Sequence, residues 1–207
     1  SKAAIMQNTK FIDSKFFNES LRNRFIDLGG KIVVNKAEKI DPEIKKIILS
    51  DNSKCTYDNL IICAGPWTNE LLSSIDVKVD MYPAKGEIIK VEKLNSNLNY
   101  HFHGECSIVE RSDGLIWIAA THNENEFNSE KTKEAETELM KKASMLIPEI
   151  SLSKKIEHTA CVRPSTKNGM PIVKEIIDSS NIYVATGGGG WGIMQCFYIG
   201  KLIKDLI

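Results

Sequence analysis

A layered α/β unit interrupted by an antiparallel β-sheet domain, a mixed α/β (α+β) chain, is the fold class the sequence predicts. Three observations predict it. Continuous apolar runs of strand length at 60–64 and 181–185 each lead into a glycine-containing turn and then a helix, as strands buried on both faces of a layered unit do. Between them, 77–91, 100–109 and 115–120 alternate apolar and polar residues, the mark of an antiparallel sheet with one wet face. The chain, 207 residues with 42% hydrophobic, suffices for one sizeable core or two small ones. The expected division is an inserted sheet domain at 76–165, with 1–75 and 166–207 forming the unit around it.

The elements follow in order. Residues 3–6 read as a strand. Asp13 can cap a helix over 14–28, with Phe16, Phe17, Leu21, Phe25 and Leu28 on one face and Gly29-Gly30 as its stop. Strands are expected at 31–35, 38–41 and 44–49, with Asp51-Asn52 as a turn. Pro66 suits the first turn of a helix running to Leu72. Ser112-Asp113-Gly114 is a hairpin turn, and 123–128 is a polar loop. An amphipathic helix is expected over 129–146, with Leu139, Ala143 and Leu146 inward and the charges of 130–142 on a solvated face. A strand at 155–162, a loop at 164–169 and a last helix over 191–206 complete the chain. Trp117 and Phe16-Phe17 read as core.

Composition excludes several classes of function. Lys+Arg and Asp+Glu number 27 each, so no net field draws the chain to nucleic acid or to an anionic membrane. No run approaches a membrane span. Five cysteines, odd in number and without a CxxC pair, argue against a disulfide framework or zinc ribbon and for a reducing cytoplasmic setting. His101 and His103 alternate onto one face near Cys106, but no fourth metal ligand suggests itself, and a polar sheet face carries histidine freely. Ser/His/Asp catalysis lacks a G-x-S-x-G elbow.

Three segments carry chemistry. NIYVATGGGGWGIMQ (181–195) takes a short strand into four glycines and a helix. It is either a mobile glycine loop or a place where backbone approaches a ligand and a helix N-terminus receives negative charge. No Gly-Lys-Ser/Thr follows, so it is not a nucleoside triphosphate loop. CVRPSTKNGMPIVK (161–174) places Arg163 on an apolar strand before a proline. Its planar fork matches a carboxylate, whether of a distant side chain or of a ligand, and period 2 puts Cys161 on the same face. LIICAGPWTNELL (60–72) ends a strand in bare backbone, at the carboxyl end where open α/β sheets bind ligands.

In order and spacing these segments, with 12–13 and its helix, 29–40, MYPAKGEIIKV (81–91), SIVERSDGLIWIAATHNENEF (107–127) and ELMKKASMLIPEI (138–150), resemble the D-amino-acid oxidase family of FAD-dependent oxidoreductases, in its glycine oxidase and sarcosine oxidase branch. The resemblance implies a partial FAD-binding unit around a substrate-binding sheet domain. Lys36-Ala37 match the backbone contact to the adenine end of FAD. Ala64, Gly65 and Trp67 match the turn along its ribityl and diphosphate path. Gly189, Gly190, Trp191, Gly192, Ile193 and Met194 match the turn whose N–H groups face the flavin N1–C2=O edge, where reduction places charge. Arg163 matches the arginine that clamps the substrate carboxylate. Cys161 matches a position of covalent flavin attachment in sarcosine oxidase relatives, although a packed strand cysteine is the reading that the residue itself favours.

The implied activity is oxidation of a small amine or α-amino acid, with hydride passing from Cα to flavin N5. A 2-hydroxy-acid dehydrogenase on the same scaffold would also use Arg163. Two departures stand out. The G-x-G-x-x-G of the family's opening βαβ segment is not found, since Gly29-Gly30 lies between a helix and a strand. Ser107 stands where these oxidases often carry a tyrosine near substrate. The chain is therefore expected to be a truncated family member, either a non-catalytic substrate-domain portion unable to hold FAD alone or one completed by another chain that supplies the nucleotide-binding half. Open sheet edges also suggest a homo-oligomer.

Overall fold

The computed structural model describes residues 12–95, 98, 100–178 and 180–207; the strand expected at 3–6 lies outside them. Two compact units are distinguished, 1–34 and 35–207.

In the first unit, α1 (Ser14–Asp27) begins where the Asp13 carboxylate accepts from the N–H groups of Lys15 and Phe16. It ends at Gly29, whose φ of 87° suits glycine. Within the described residues the helix buries none of its side chains; Phe16 is 62% exposed, so the Phe16-Phe17 core assignment is corrected. The strand expected at 31–35 is absent. A β-branched run becomes a strand only where a neighbour accepts its hydrogen bonds, and among the described residues none does; Val34 is 93% exposed.

The second unit opens with an antiparallel meander of β1 (Ala37–Asp41), β2 (Lys46–Leu49) and β3 (Lys54–Thr56). β4 (Leu60–Ile62) leads through a 3-10 turn, Gly65–Trp67, into α2 (Thr68–Leu72). Then come β5 (Tyr82–Glu92), β6 (Phe102–His103), β7 (Ser107–Glu110), β8 (Leu115–Ala119), β9 (Asn123–Glu124), α3 (Lys133–Leu146), β10 (Lys155–Ser165), β11 (Ile172–Glu175), β12 (Ile182–Thr186) and α4 (Gly192–Leu206).

Two hydrophobic clusters hold this unit. One joins Ile40, Leu60, Ile62, Leu72, Val79, Ile182 and Val184. It seals a three-stranded sheet in the order β11-β12-β4, in which β12 and β4 run parallel. The other lies between α3 and one face of the six-stranded sheet β10-β5-β8-β7-β6, with β9 beside β5. There Ile89, Val91, Ile108, Ile116 and Ile118 meet Leu139 and Ala143.

Several expectations are corrected. Ile61 is 41% exposed, so β4 is not covered on both faces. Leu146 is exposed, and Ala135 and Ile147 take the inward places instead. α3 starts later than expected because Thr132 is its N-cap. β10 runs on through Arg163 and Pro164 to Ser165, past the expected loop start. A proline is tolerated there because β10 is the sheet's edge strand.

Candidate functional site

β4 and β12 are parallel, with Leu60 opposite Ile182, so their carboxyl ends lie side by side. Both corners that leave those ends were singled out in the sequence. They are tied together: the Thr186 hydroxyl donates to the Gly65 carbonyl at 3.2 Å, and the Thr68 hydroxyl donates to the same carbonyl at 2.7 Å. Gly65 adopts φ of +56°, a turn conformation that glycine accepts without strain. Ala64 and Trp67, with Ala37 from β1, line a cavity of about 750 Å³. Lys36 and Glu70, also on its wall, form an ion pair at 2.9 Å. Trp67 meets Phe127 edge-on, with ring centroids 6.0 Å apart.

The second corner is built from glycine for steric reasons. A Cβ on Gly188 would stand 2.8 Å from the Gly192 Cα, a backbone atom with no freedom to move aside. By contrast, nothing lies within 4 Å of where a Cβ would stand on Gly190 or Gly192, so their backbone is open to approach. No side chain caps the first turn of α4, which leaves N–H groups and the positive end of the helix dipole to be met from outside. Ile193 and Met194 follow on that turn with exposed side chains. Gly189 sits against β10, its Cβ position 3.4 Å from Ser165 Oγ.

Arg163 is two residues before Ser165 and therefore on the same face of β10. Its guanidinium lies over Gly86: a Cβ there would be 2.2 Å from Nη1 and 2.4 Å from Cζ. Register explains the fit, since Arg163 pairs with Ala84 and Cys161 with Gly86, all on one face. This is the open face, opposite the cluster under α3. Arg163 donates to the Thr121 carbonyl at 3.5 Å, and among the described residues no carboxylate lies within ion-pair distance of it. The distant acidic side chain left open by the sequence is thus not found. Cys161 is exposed on this face rather than packed, which corrects that reading of it.

The structure therefore seats Gly189 against Ser165, two residues along β10 from Arg163, whose guanidinium extends the other way over Gly86, and it ties Gly65 to the strand before the glycines. It does not put Arg163 or 189–194 on the wall of the cavity formed by Ala37, Ala64 and Trp67. The His101 and His103 rings lie 4.0 Å apart, but Cys106 points into the opposite cluster. No group of three or more potential metal ligands occurs among the described residues. Trp117 is not core: its Nε1 donates to Asp113 at 2.9 Å, and Lys90 and Arg111 flank its ring.

The sequence reading missed a charged group on the other face. Lys85 and Glu87 are 1% and 0% exposed. Glu87 accepts from Thr132 N at 2.8 Å and Thr132 Oγ1 at 2.9 Å, lies 2.9 Å from His158 Nε2, and faces Lys85 Nζ at 3.4 Å. Burial raises its pKa, but the Thr132 bonds and Lys85 outweigh burial and leave it below the ordinary value. A signal was available: residues 85 and 87 are in phase with Ile89 and Val91, so one strand must bury all four.

The chain belongs to the FAD dependent oxidoreductase family, whose model matches residues 2–206. FAD is that family's cofactor. Among its relatives, glycine oxidase from Bacillus licheniformis is 27% identical over 161 residues, 77% of this chain and 44% of that protein. The crystal structure of glycine oxidase from Geobacillus kaustophilus superposes with a TM-score of 0.76 at 23% identity, covering 83% of this chain and 47% of that one. Iminodiacetate oxidase from Chelativorans sp. BNC1 has the same fold, with a TM-score of 0.82 at 18% identity over 94% of this chain and 54% of that one. The chain spans about half the length of the relatives it matches. No helix among the described residues is long and apolar enough to cross a membrane.

Proposed function

We propose that the chain contributes the substrate-clamping half of an FAD-dependent oxidase of small amines or α-amino acids. One observation carries this reading: a half-buried guanidinium lies over Gly86, where the absence of a side chain makes room for it, and among the described residues no carboxylate answers it. An arginine so placed presents its fork to a ligand carboxylate.

The residues present fit the cofactor. The open backbone at Gly190 and Gly192, with Gly189, Trp191, Ile193 and Met194, would hold the flavin edge that gains charge. Ala64, Gly65, Trp67 and Ala37 would follow the chain towards the adenine. FAD, when bound, supplies the acceptor for a hydride and its two electrons. Arg163 binds and orients the substrate carboxylate, so that the Cα–H is held at a fixed distance from the glycine turn. The N–H groups at the start of α4 stabilise negative charge beside it. Cys161, exposed on the same face as Arg163, would be the thiol that carries a covalent flavin bond if one forms. The sheet at 76–165 would then serve as the substrate domain, with 1–75 and 166–207 as part of the FAD domain. The remaining half of the relatives' length would come from residues outside this sequence or from a partner chain. Five cysteines without a disulfide agree with a cytoplasmic setting.

The test is to titrate the chain with FAD and then with glycine, following flavin absorbance. Saturable spectral change with FAD, further change with glycine, and loss of only the second change in Arg163→Met support the reading. Unaltered glycine binding in Arg163→Met contradicts the clamp, and failure to take up FAD at all makes this chain the non-catalytic portion. Flavin that stays with acid-precipitated wild type but not with Cys161→Ala would show covalent attachment.

A further inference from the structure

Arg163 engages one end of a ligand, and the same sheet face continues past it. Ile88 pairs with Ala119, and Ala119 with Ser107. Ser107 therefore stands on the open face, two strands across from β5 and two residues along from the Gly86 that carries the guanidinium. The floor between them is Gly86, Ile88 and Ala119. Ser107 Oγ is hydrogen-bonded to His101 Nε2, and the His103 ring packs against His101. Burial, then His103 and Arg111, lowers the His101 pKa and so favours the uncharged imidazole as the partner of the hydroxyl. Arg111, whose Cζ lies 4.9 Å from the Trp117 ring centroid, adds positive charge to this end of the face.

Two residues along a strand and two strand spacings across give a diagonal of about 12 Å from the guanidinium to Ser107. We propose that Ser107, its oxygen accepting from the Nε2–H tautomer of His101 so that its own proton is free, determines specificity by donating to the substrate's far end, and that the site takes α-amino or imino acids with a hydrogen-bond acceptor about 6 Å from the carboxylate. Amide and carboxylate groups share that chemistry. The inference rests on Arg163 as the carboxylate clamp. Ser107 touches the substrate, and His101 is a positioning residue that acts through it.

The test is an NMR titration of the isotope-labelled chain with three acids of one length: valerate, glutaramate and glutarate. The Arg163 side-chain signals report carboxylate binding and the His101 ring signals report the far end. Glutaramate or glutarate is expected to bind about five- to tenfold more tightly than valerate, the worth of one added hydrogen bond. Ser107→Ala should erase that ratio while leaving valerate affinity unchanged, and His101→Phe should reduce it. Preference for glutaramate assigns uncharged polar substrates; preference for glutarate assigns dicarboxylic ones. Equal affinity for all three acids, or a ratio that survives Ser107→Ala, overturns the proposal while the clamp stands. If no acid moves the Arg163 signals, the clamp fails and the inference fails with it.

Discussion

Each face of the six-stranded sheet carries a cation of consequence, and the two are answered differently. Under α3, Lys85 and Glu87 are buried and answered: Glu87 meets Thr132, His158 and Lys85, and Lys85 also reaches Glu126 at 3.4 Å. On the open face Lys90 has Glu157 at 2.7 Å, but Arg163 has a carbonyl at 3.5 Å and, among the described residues, no counterion. That contrast, one buried cation answered and one left without a carboxylate, supports the proposal that the open face receives an anion at Arg163.

Breaking the satisfied side should have the largest effect on stability. Glu87→Ala leaves Lys85 buried with only Glu126 and should cost about 3–5 kcal/mol in denaturant unfolding. Arg163→Met should leave stability within about 1 kcal/mol, because among the described residues only the Thr121 carbonyl and no carboxylate answers the charge it removes, yet weaken carboxylate binding by about 100-fold, as measured by titration. Gly86→Ala keeps the charge and displaces it. The new methyl needs the space the guanidinium fills, so binding should fall by about tenfold or more, with a stability loss of about 1–3 kcal/mol. Thr132→Ala removes both a helix cap and a Glu87 partner and should cost about 1–2 kcal/mol in thermal melting. The smallest effect concerns acid. The folded Glu87 pKa lies below 4.5, so its contribution is complete above that pH and is lost as pH falls through the folded value. Stability of the wild type should therefore decline below about pH 4.5 more steeply than that of Glu87→Gln.

Local chemistry made much of this fold legible in the sequence. Asp13 and Gly29 bracket α1 as their types require, and Asp113-Gly114 turns the β7–β8 hairpin, with Gly114 N–H donating to Arg111 at 3.0 Å. Gly65-Pro66 opens the 3-10 turn before α2. What was not legible depends on partners distant in sequence. The run at 31–35 has strand residues but no described neighbour to pair with, whereas Lys54–Thr56 and Ile172–Glu175 look unremarkable and pair because β2 and β12 are there. Pro164 suggested a strand end, and only the edge position of β10 explains why it continues. At the site, Arg163 could be singled out by residue type, but its seat on Gly86 is a matter of register. The exposure of Cys161 and the half-buried place of Trp117 likewise follow from which face α3 covers.

Carboxylate capture by Arg163 is tested most directly by following its guanidinium resonances during titration of the chain with acetate. A saturable shift confined to Arg163 and its neighbours, weakened about tenfold or more by Gly86→Ala although the arginine remains, is the predicted result. Arginine signals that ignore acetate, or that respond equally in Gly86→Ala, would contradict it.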